Sequence, residues 1–192
     1  MSITDAQRRI LVSFSGGETS ALMAIRMKRA VAYSGCEMVF VMANTGEEHE
    51  KSLEFADFVD RKYDLGLVWV ESVIRHNERR GSGHRVTSFK DATRGVGLFE
   101  SMAQKYGLPN ASYPHCTREL KLNPIKSYIR SIGWEAGTYS TAIGIRSDEL
   151  DRISPRAEKE KIIYPLVSQF PTRKAQVNRF WQQQPQRLEI KS

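Results

Sequence analysis

Leu11-Val12-Ser13-Phe14-Ser15-Gly16-Gly17-Glu18-Thr19-Ser20 is the stretch on which the reading of this 192-residue chain turns. Ile10 to Phe14, broken once by Ser13, has the apolar character of a short strand and runs straight into Ser-Gly-Gly. Leu22, Met23, Ile25, Met27 and Val31 then recur near the helical period. The pattern predicts a strand over about 10–14 and a helix over about 19–32, capped by Thr19 or Ser20 and closed by Gly35. Two glycines let backbone approach a ligand where a side chain would collide. The unpaired amides of a helix start, at the positive end of its dipole, suit phosphate or sulfate. Ser15, Thr19 and Ser20 add hydroxyl donors. Taken alone, the ten residues fit an ordinary strand-to-helix turn equally well. They are not a Walker loop, which needs a longer glycine spacing and a Lys.

The same alternation continues. Met38 to Ala43 is an unbroken apolar run, as expected of a strand covered on both faces of a parallel sheet. Asn44-Thr45-Gly46-Glu47-Glu48 follows. Leu53, Phe55, Ala56, Phe58 and Val59 then mark a helix over about 48–63, and Leu67 to Glu71 a third strand. Strand-helix-strand-helix-strand is a doubly wound α/β layout with a mainly parallel sheet, where ligands bind beyond the carboxyl ends of the strands. Ser15-Gly16-Gly17 and Asn44-Thr45-Gly46 both fall at such ends. The second also fits a helix-entry turn with acidic residues placed for the dipole.

From Ile74 to Gly95 the periodicity dissolves. Arg75, Arg79, Arg80, Arg85, Lys90 and Arg94 face only Glu78 and Asp91. A structureless stretch of this length is usually functional or disordered. The basic loop 75–94 reads as a mobile segment contacting phosphates of substrate or nucleic acid, or as a solvated surface loop. A short helix over 97–106 follows. Tyr113-Pro114-His115-Cys116-Thr117-Arg118-Glu119-Leu120-Lys121 then leads into a helix with Ile125, Tyr128, Ile129 and Ile132. A fourth strand, Thr138 to Gly144, ends in Gly144-Ile145-Arg146-Ser147-Asp148-Glu149-Leu150-Asp151-Arg152. Ile162 to Leu166 reads as a short edge strand. Thr172 is expected to cap a last helix over about 172–184, with Val177, Phe180 and Trp181 as its apolar face.

Composition bounds the rest. Hydrophobic residues make up 40% and charged residues 27%, as in a globular protein. No apolar run approaches a membrane span. Residues 1 to 8 read as a polar lead-in without signal-peptide character. Cys36 and Cys116 do not make a disulfide framework. The expectation is one cytoplasmic domain over 1–192, in host cytoplasm if the gene is viral, with its core at about 9–170. Homo-oligomerisation stays open. A net charge of +7 suits anionic ligands, nucleotides first and nucleic acid second.

Ser13-Phe14-Ser15-Gly16-Gly17-x-x-Ser20 resembles the pyrophosphate loop of the adenine nucleotide alpha hydrolase-like superfamily, and most closely the phosphoadenosine phosphosulfate (PAPS) reductase family. Thr19 stands where many members have Asp, and phage and bacterial members have Thr. The later motifs follow in family order. Asn44-Thr45-Gly46 is similar to the Asn/Asp-Thr-Gly of the second strand end. Cys116 to Lys121 is similar to the Cys-x-x-x-Lys or Cys-x-x-Arg-Lys element of the family. Gly144, Arg146, Glu149 and Arg152 match Gly-x-Arg-x-x-Glu-x-x-Arg. The resemblance implies a Rossmann-like fold holding ATP or PAPS, with Mg²⁺ in ATP-using members. Ser13, Ser15, Gly16, Gly17, Glu18, Thr19, Ser20, Asn44, Thr45, Gly46, Gly144, Arg146, Glu149 and Arg152 would bind the nucleotide. Cys116, Arg118, Lys121 and Arg146 would serve catalysis, and Glu149 would orient an Arg or help hold a metal.

Cys116 itself reads three ways: a reactive thiolate beside Arg118, a metal or cluster ligand, or a small buried hydrophobe. A single Cys there disfavours an iron-sulfur cluster, and His115 adds too little for zinc. A thiol-dependent reductase of this family also carries a Cys in a Glu-Cys-Gly-x-His tail, where this chain has Arg-Leu-Glu-Ile-Lys-Ser. The implied reaction is therefore either ATP cleavage at the α-phosphate or sulfonucleotide chemistry. The alternative is a nucleotide-binding or nucleic-acid-associated protein without catalysis.

Overall fold

The computed structural model describes residues 9–110 and 115–188. The polar lead-in, Tyr113-Pro114 and the last four residues lie outside the described residues. The fold is α/β and doubly wound, with a six-stranded, mostly parallel sheet. In chain order the elements are β1 Arg9–Ser13, α1 Glu18–Arg29, β2 Glu37–Asn44, α2 Glu50–Tyr63, β3 Val68–Val73, β4 Gly83–Thr87, α3 Gly97–Tyr106, α4 Asn123–Ser131, β5 Ser140–Ala142, β6 Ile162–Ile163 and α5 Lys174–Gln182. The sheet order is β4-β3-β2-β1-β5-β6. β2 pairs with β3, β1 with β5 and β5 with β6 in parallel, and β4 returns antiparallel to β3. The chain therefore walks outward from β1 and resumes on its other side at β5. That reversal is a topological switch point, between the carboxyl ends of β1 and β5.

The chain forms two compact units. The first comprises Met1–Phe40, Glu50–Leu67 and Ala136–Ser192 and holds β1, α1, α2, β5, β6 and α5. Its core is built where the apolar stripe of α1, Leu22, Met23, Ile25 and Met27, is buried with Leu53, Phe55, Leu166, Val177 and Trp181. Trp181 packs edge-on against Phe55 at 4.8 Å between ring centroids. Its indole N–H donates to the Glu18 carbonyl at 2.9 Å, tying α5 to the first turn of α1. The second unit, Val41–His49 and Val68–Glu135, holds the end of β2 with β3, β4, α3 and α4.

Several expectations need correction. Neither Thr19 nor Ser20 caps α1; Gly17 occupies the N-cap position with no side-chain bond to the helix. The helix stops at Arg29, with Ala30 in extended conformation, so Gly35 is not its cap. Thr172 does not cap α5 either. Its hydroxyl donates to the Phe170 carbonyl and accepts from Arg26. The N-cap is Arg173, whose N–H reaches the Gln176 side chain, while Asp148 accepts from the Lys174 N–H at 3.1 Å. The segment 75–94 is not a structureless loop: it contains β4, in register from Trp69↔Thr87 to Val73↔Gly83.

Removing the α5 anchor tests this core. Trp181→Ala should lower unfolding stability by about 3–5 kcal/mol. Trp181→Phe, which loses chiefly the bond to Glu18, should cost far less. Urea unfolding of both variants measures the difference.

Candidate functional site

The loop after β1 is closed by one hydroxyl. Ser20 Oγ donates to the Gly17 carbonyl at 2.9 Å and accepts from the Ser15 N–H at 3.1 Å and the Ser15 hydroxyl at 3.0 Å. Gly16 sits at φ 77°, where a side chain is disfavoured. The first helical bond runs from Ala21 N–H to the Gly17 carbonyl, so the amides of Glu18, Thr19 and Ser20 have no intrahelical acceptor. Ser15 is exposed, Ser13, Gly17, Glu18 and Thr19 are half-buried, and Gly16 and Ser20 are buried. The carboxylate of Glu18 pairs with Arg187 at 2.9 Å.

Gly144, just past β5, abuts this helix start. A Cβ at Gly144 would lie 3.0 Å from Ser20 Cα and 3.3 Å from its nitrogen. A side chain at Gly144 would require the Ser20 backbone to give by a few tenths of an ångström. Arg146, two residues on, is held between carboxylates: Nε donates to Asp148 at 2.9 Å, and its terminal nitrogen lies 3.4 Å from Glu149. Glu149 also accepts from the Arg146 N–H at 3.2 Å and from Arg152 at 2.7 Å. Burial pushes the Glu149 pKa up, but these hydrogen bonds and the two guanidinium charges outweigh it and leave the carboxyl below its ordinary value. Asp148 is also lowered, first by the Lys174 N–H. Glu149 thus orients two arginines.

In the second unit, Asn44, Glu71 and Arg85 form one row across three strands, through the pairs Asn44↔Glu71 and Glu71↔Arg85. Glu71 is fully buried and accepts from Asn44 at 2.6 Å, Arg85 Nε at 2.8 Å, and both the N–H and hydroxyl of Thr93 at 2.6 and 2.9 Å. Burial raises its pKa, and those bonds more than reverse the effect. Asn44, also fully buried, directs its remaining oxygen to the Gly46 N–H at 3.2 Å. Gly46 has φ 85°, and a Cβ there would strike the Gly95 carbonyl at 2.5 Å. The carbonyl of Gly46 accepts from the Gly95 N–H at 2.7 Å. Glu48 gathers two candidate residues, accepting from Thr45 at 3.2 Å and from Lys121 at 3.1 Å.

Arg118 and Lys121 lie on a π-helical turn, Thr117–Leu122, that leads into α4. Arg118 reaches the buried Glu119 at 2.8 Å and His115 at 3.1 Å. Cys116 is a half-buried free thiol. Glu119, 2% exposed, also accepts from the Ser82 N–H, the Ser82 hydroxyl and Asn123 at 3.0, 2.6 and 3.0 Å. Burial pushes its pKa up, but the two Ser82 bonds, Arg118 and Asn123 together bring it from the ordinary 4.5 down to about 2.

Sequence reasoning missed the structural roles of Glu71 and Glu119. The available signal was a carboxylate closing the apolar run Val68-Trp69-Val70-Glu71. Glu119 gave none, since it sits among charged neighbours. Because the folded pKa of Glu119 lies below the unfolded one, its contribution is complete above about pH 4.5 and fades as pH falls toward 2. Glu119→Gln should therefore be less stable than the parent at pH 7, by an amount on the order of 3 kcal/mol, and should flatten the acid limb of stability across that window. Denaturant melts at stepped pH measure it.

No protein-family model matches the chain, and no solved structure matches it. An uncharacterized nin region protein of Escherichia phage lambda is 33% identical over 183 residues, covering 94% of this chain and 61% of that protein. An uncharacterized protein of Methanocaldococcus jannaschii is 26% identical over 156 residues, covering 81% of this chain and 26% of the relative. A second from the same organism is 26% identical over 121 residues, or 63% of this chain and 23% of the relative. The chain thus spans 61% of the length of the phage protein and about a quarter of the archaeal ones.

Proposed function

We propose that this chain binds an adenine nucleotide, ATP or PAPS, by its phosphate or phosphosulfate chain on loop 15–20, with chemistry at the α-phosphate or the sulfonucleotide group. The observation that carries this reading is the contact of Gly144 with Ser20 at the switch point. It supports the reading because Gly144 meets the start of α1, whose first amides have no intrahelical acceptor, and Arg146 follows Gly144 in the chain. Arg146 follows the contact by two residues, roughly 7 Å of chain. In the ATP reading, an acceptor oxygen attacks the α-phosphorus and pyrophosphate departs. The amides of loop 15–20 then stabilise the leaving charge, which is electrostatic preorganisation. Among the described residues no helix is long and apolar enough to cross a membrane.

One observation favours a second reading, binding without turnover. Arg118 and Lys121, the cations the resemblance assigns to catalysis, are paired with Glu119 and Glu48 inside the second unit.

The test is incubation with ATP and Mg²⁺ or with PAPS and a thiol, following pyrophosphate, sulfite and melting temperature. Pyrophosphate identifies the ATP reaction and sulfite the reductive one. A rise in melting temperature without product identifies binding alone, and no rise with either nucleotide rejects the proposal. Arg146→Ala should weaken nucleotide binding by about 3- to 10-fold, less than a full charged hydrogen bond because Asp148 and Glu149 share the guanidinium. Gly17→Ala should fold normally, since its Cβ would meet only Ser15 Oγ at 3.8 Å, yet it should lose affinity by crowding the amides. Thermal-shift titrations of both variants check this.

A further inference from the structure

A cleft of about 550 Å³ opens in the second unit between the start of β4 and α4. Arg75 and Arg80 line one side, with Gly81 to Gly83; Lys126 and Arg130 line the other, with Asn123 and Ser127. Arg80, Lys126 and Arg130 are exposed. Among the described residues none of the three has a carboxylate partner; only Arg75 does, with Glu78 at 3.7 Å.

The walls are fixed from behind. Lys105 donates to the carbonyls of Arg75, Glu78 and Arg80 at 2.7, 3.0 and 2.8 Å, clamping the turn that carries the arginines. Glu119 holds Ser82 on one wall and Asn123 on the other. His84 contacts Ser127 at 2.8 Å, joining β4 to α4. The backbone and neighbours that carry the cations are thus fixed by polar contacts, while the cationic groups of Arg80, Lys126 and Arg130 have no carboxylate partner among the described residues.

We propose that this cleft binds the phosphodiester backbone of a single nucleic-acid strand, independently of base sequence and separately from the nucleotide loop. Its volume falls within the range of about 300–1,000 Å³ that holds whole ligands, well beyond one phosphate ion. Cations on both sides suit consecutive phosphates, which guanidinium forks engage bidentately. Among the described residues no aromatic or aliphatic side chain lines the cleft, so they offer neither a stacking platform for bases nor a seat for an acyl chain. Backbone contact alone gives affinity without sequence readout.

The experiment is fluorescence anisotropy of the full chain with labelled 20-mers of deoxythymidine and of uridine across a salt series. Wild type should bind one or both strands, and the two arms tell DNA from RNA. The slope of log affinity against log salt should be about −2 to −3, the value for three or four phosphate contacts on a single strand. Arg80→Ala/Lys126→Ala/Arg130→Ala should lose at least tenfold in affinity and shed about 2 from that slope. The control Lys28→Ala/Arg156→Ala/Lys159→Ala removes the same charge from exposed positions of the first unit and should retain binding. Equal losses in the two triple variants would reduce the effect to net charge and overturn the proposal. So would unchanged binding in the cleft variant, or binding of inorganic phosphate but of neither strand. Nucleotide-induced melting shifts should be the same in the cleft variant as in wild type, so this proposal and the nucleotide reading fail separately.

Discussion

A missing side-chain atom governs the first unit. With no Cβ at Gly144, the backbone after β5 comes within van der Waals range of Ser20. Any side chain there would require the start of α1, or the loop that Ser20 closes, to give by a few tenths of an ångström. Ser20 cannot easily yield, because its hydroxyl already satisfies both Gly17 and Ser15. The loop conformation, the helix start and the placement of Arg146 are therefore one coupled solution. Its stability comes from α5, whose Trp181 bonds the first turn of α1 from below.

The second unit is organised differently, around two buried carboxylates. Burying a charge costs several kcal/mol unless partners replace the lost water. Glu71 and Glu119 each have enough donors to reverse the effect of burial on their own acidity. Such groups add little net stability but make a unit intolerant of rearrangement, because removing one donor leaves an uncompensated buried charge. Glu71 fixes the end of β2 against β3, β4 and the Thr93 turn, and Glu119 fixes the wall that begins β4. Asn44 accordingly spends its side chain on Glu71, Thr93 and Gly46.

The sequence made the alternation of strands and helices legible because apolar runs such as Met38 to Ala43 and stripes such as that of α1 are local signals. It also marked Gly144 and Gly46, though not why each must be glycine: the clash partners, Ser20 and Gly95, are distant in sequence. β4 was illegible because Gly-His-Arg-Val-Thr is short and largely polar, and its pairing with β3 is what makes it a strand. The caps failed for a similar reason. Ser20 and Thr172 have the right side chains for capping, but the Ser20 hydroxyl closes its own loop on Ser15 and Gly17, the Thr172 hydroxyl is claimed by Phe170 and Arg26, and the amide of Lys174 is met by Asp148 from another segment. Lys126 and Arg130 gave no signal in the sequence, because the basic turn they face across the cleft lies far from them along the chain.

The pairing of cations decides what each region can offer an anion. Arg146 is already neutralised by Asp148 and Glu149, so a phosphate near it would share the guanidinium with two carboxylates and gain less than a full ion pair. Binding at loop 15–20 must then lean on backbone amides, whose dipoles carry no competing counter-charge and need no reorganisation. The cleft of the second unit has the opposite character, with three cations lacking carboxylate partners among the described residues. Amide cradles discriminate by shape and close approach, which favours a compact phosphate chain. Unpaired guanidinium and ammonium groups act over longer range and tolerate variation in their ligand, which favours a polyanion. On the two proposed readings, the regions would differ in the kind of anion they select.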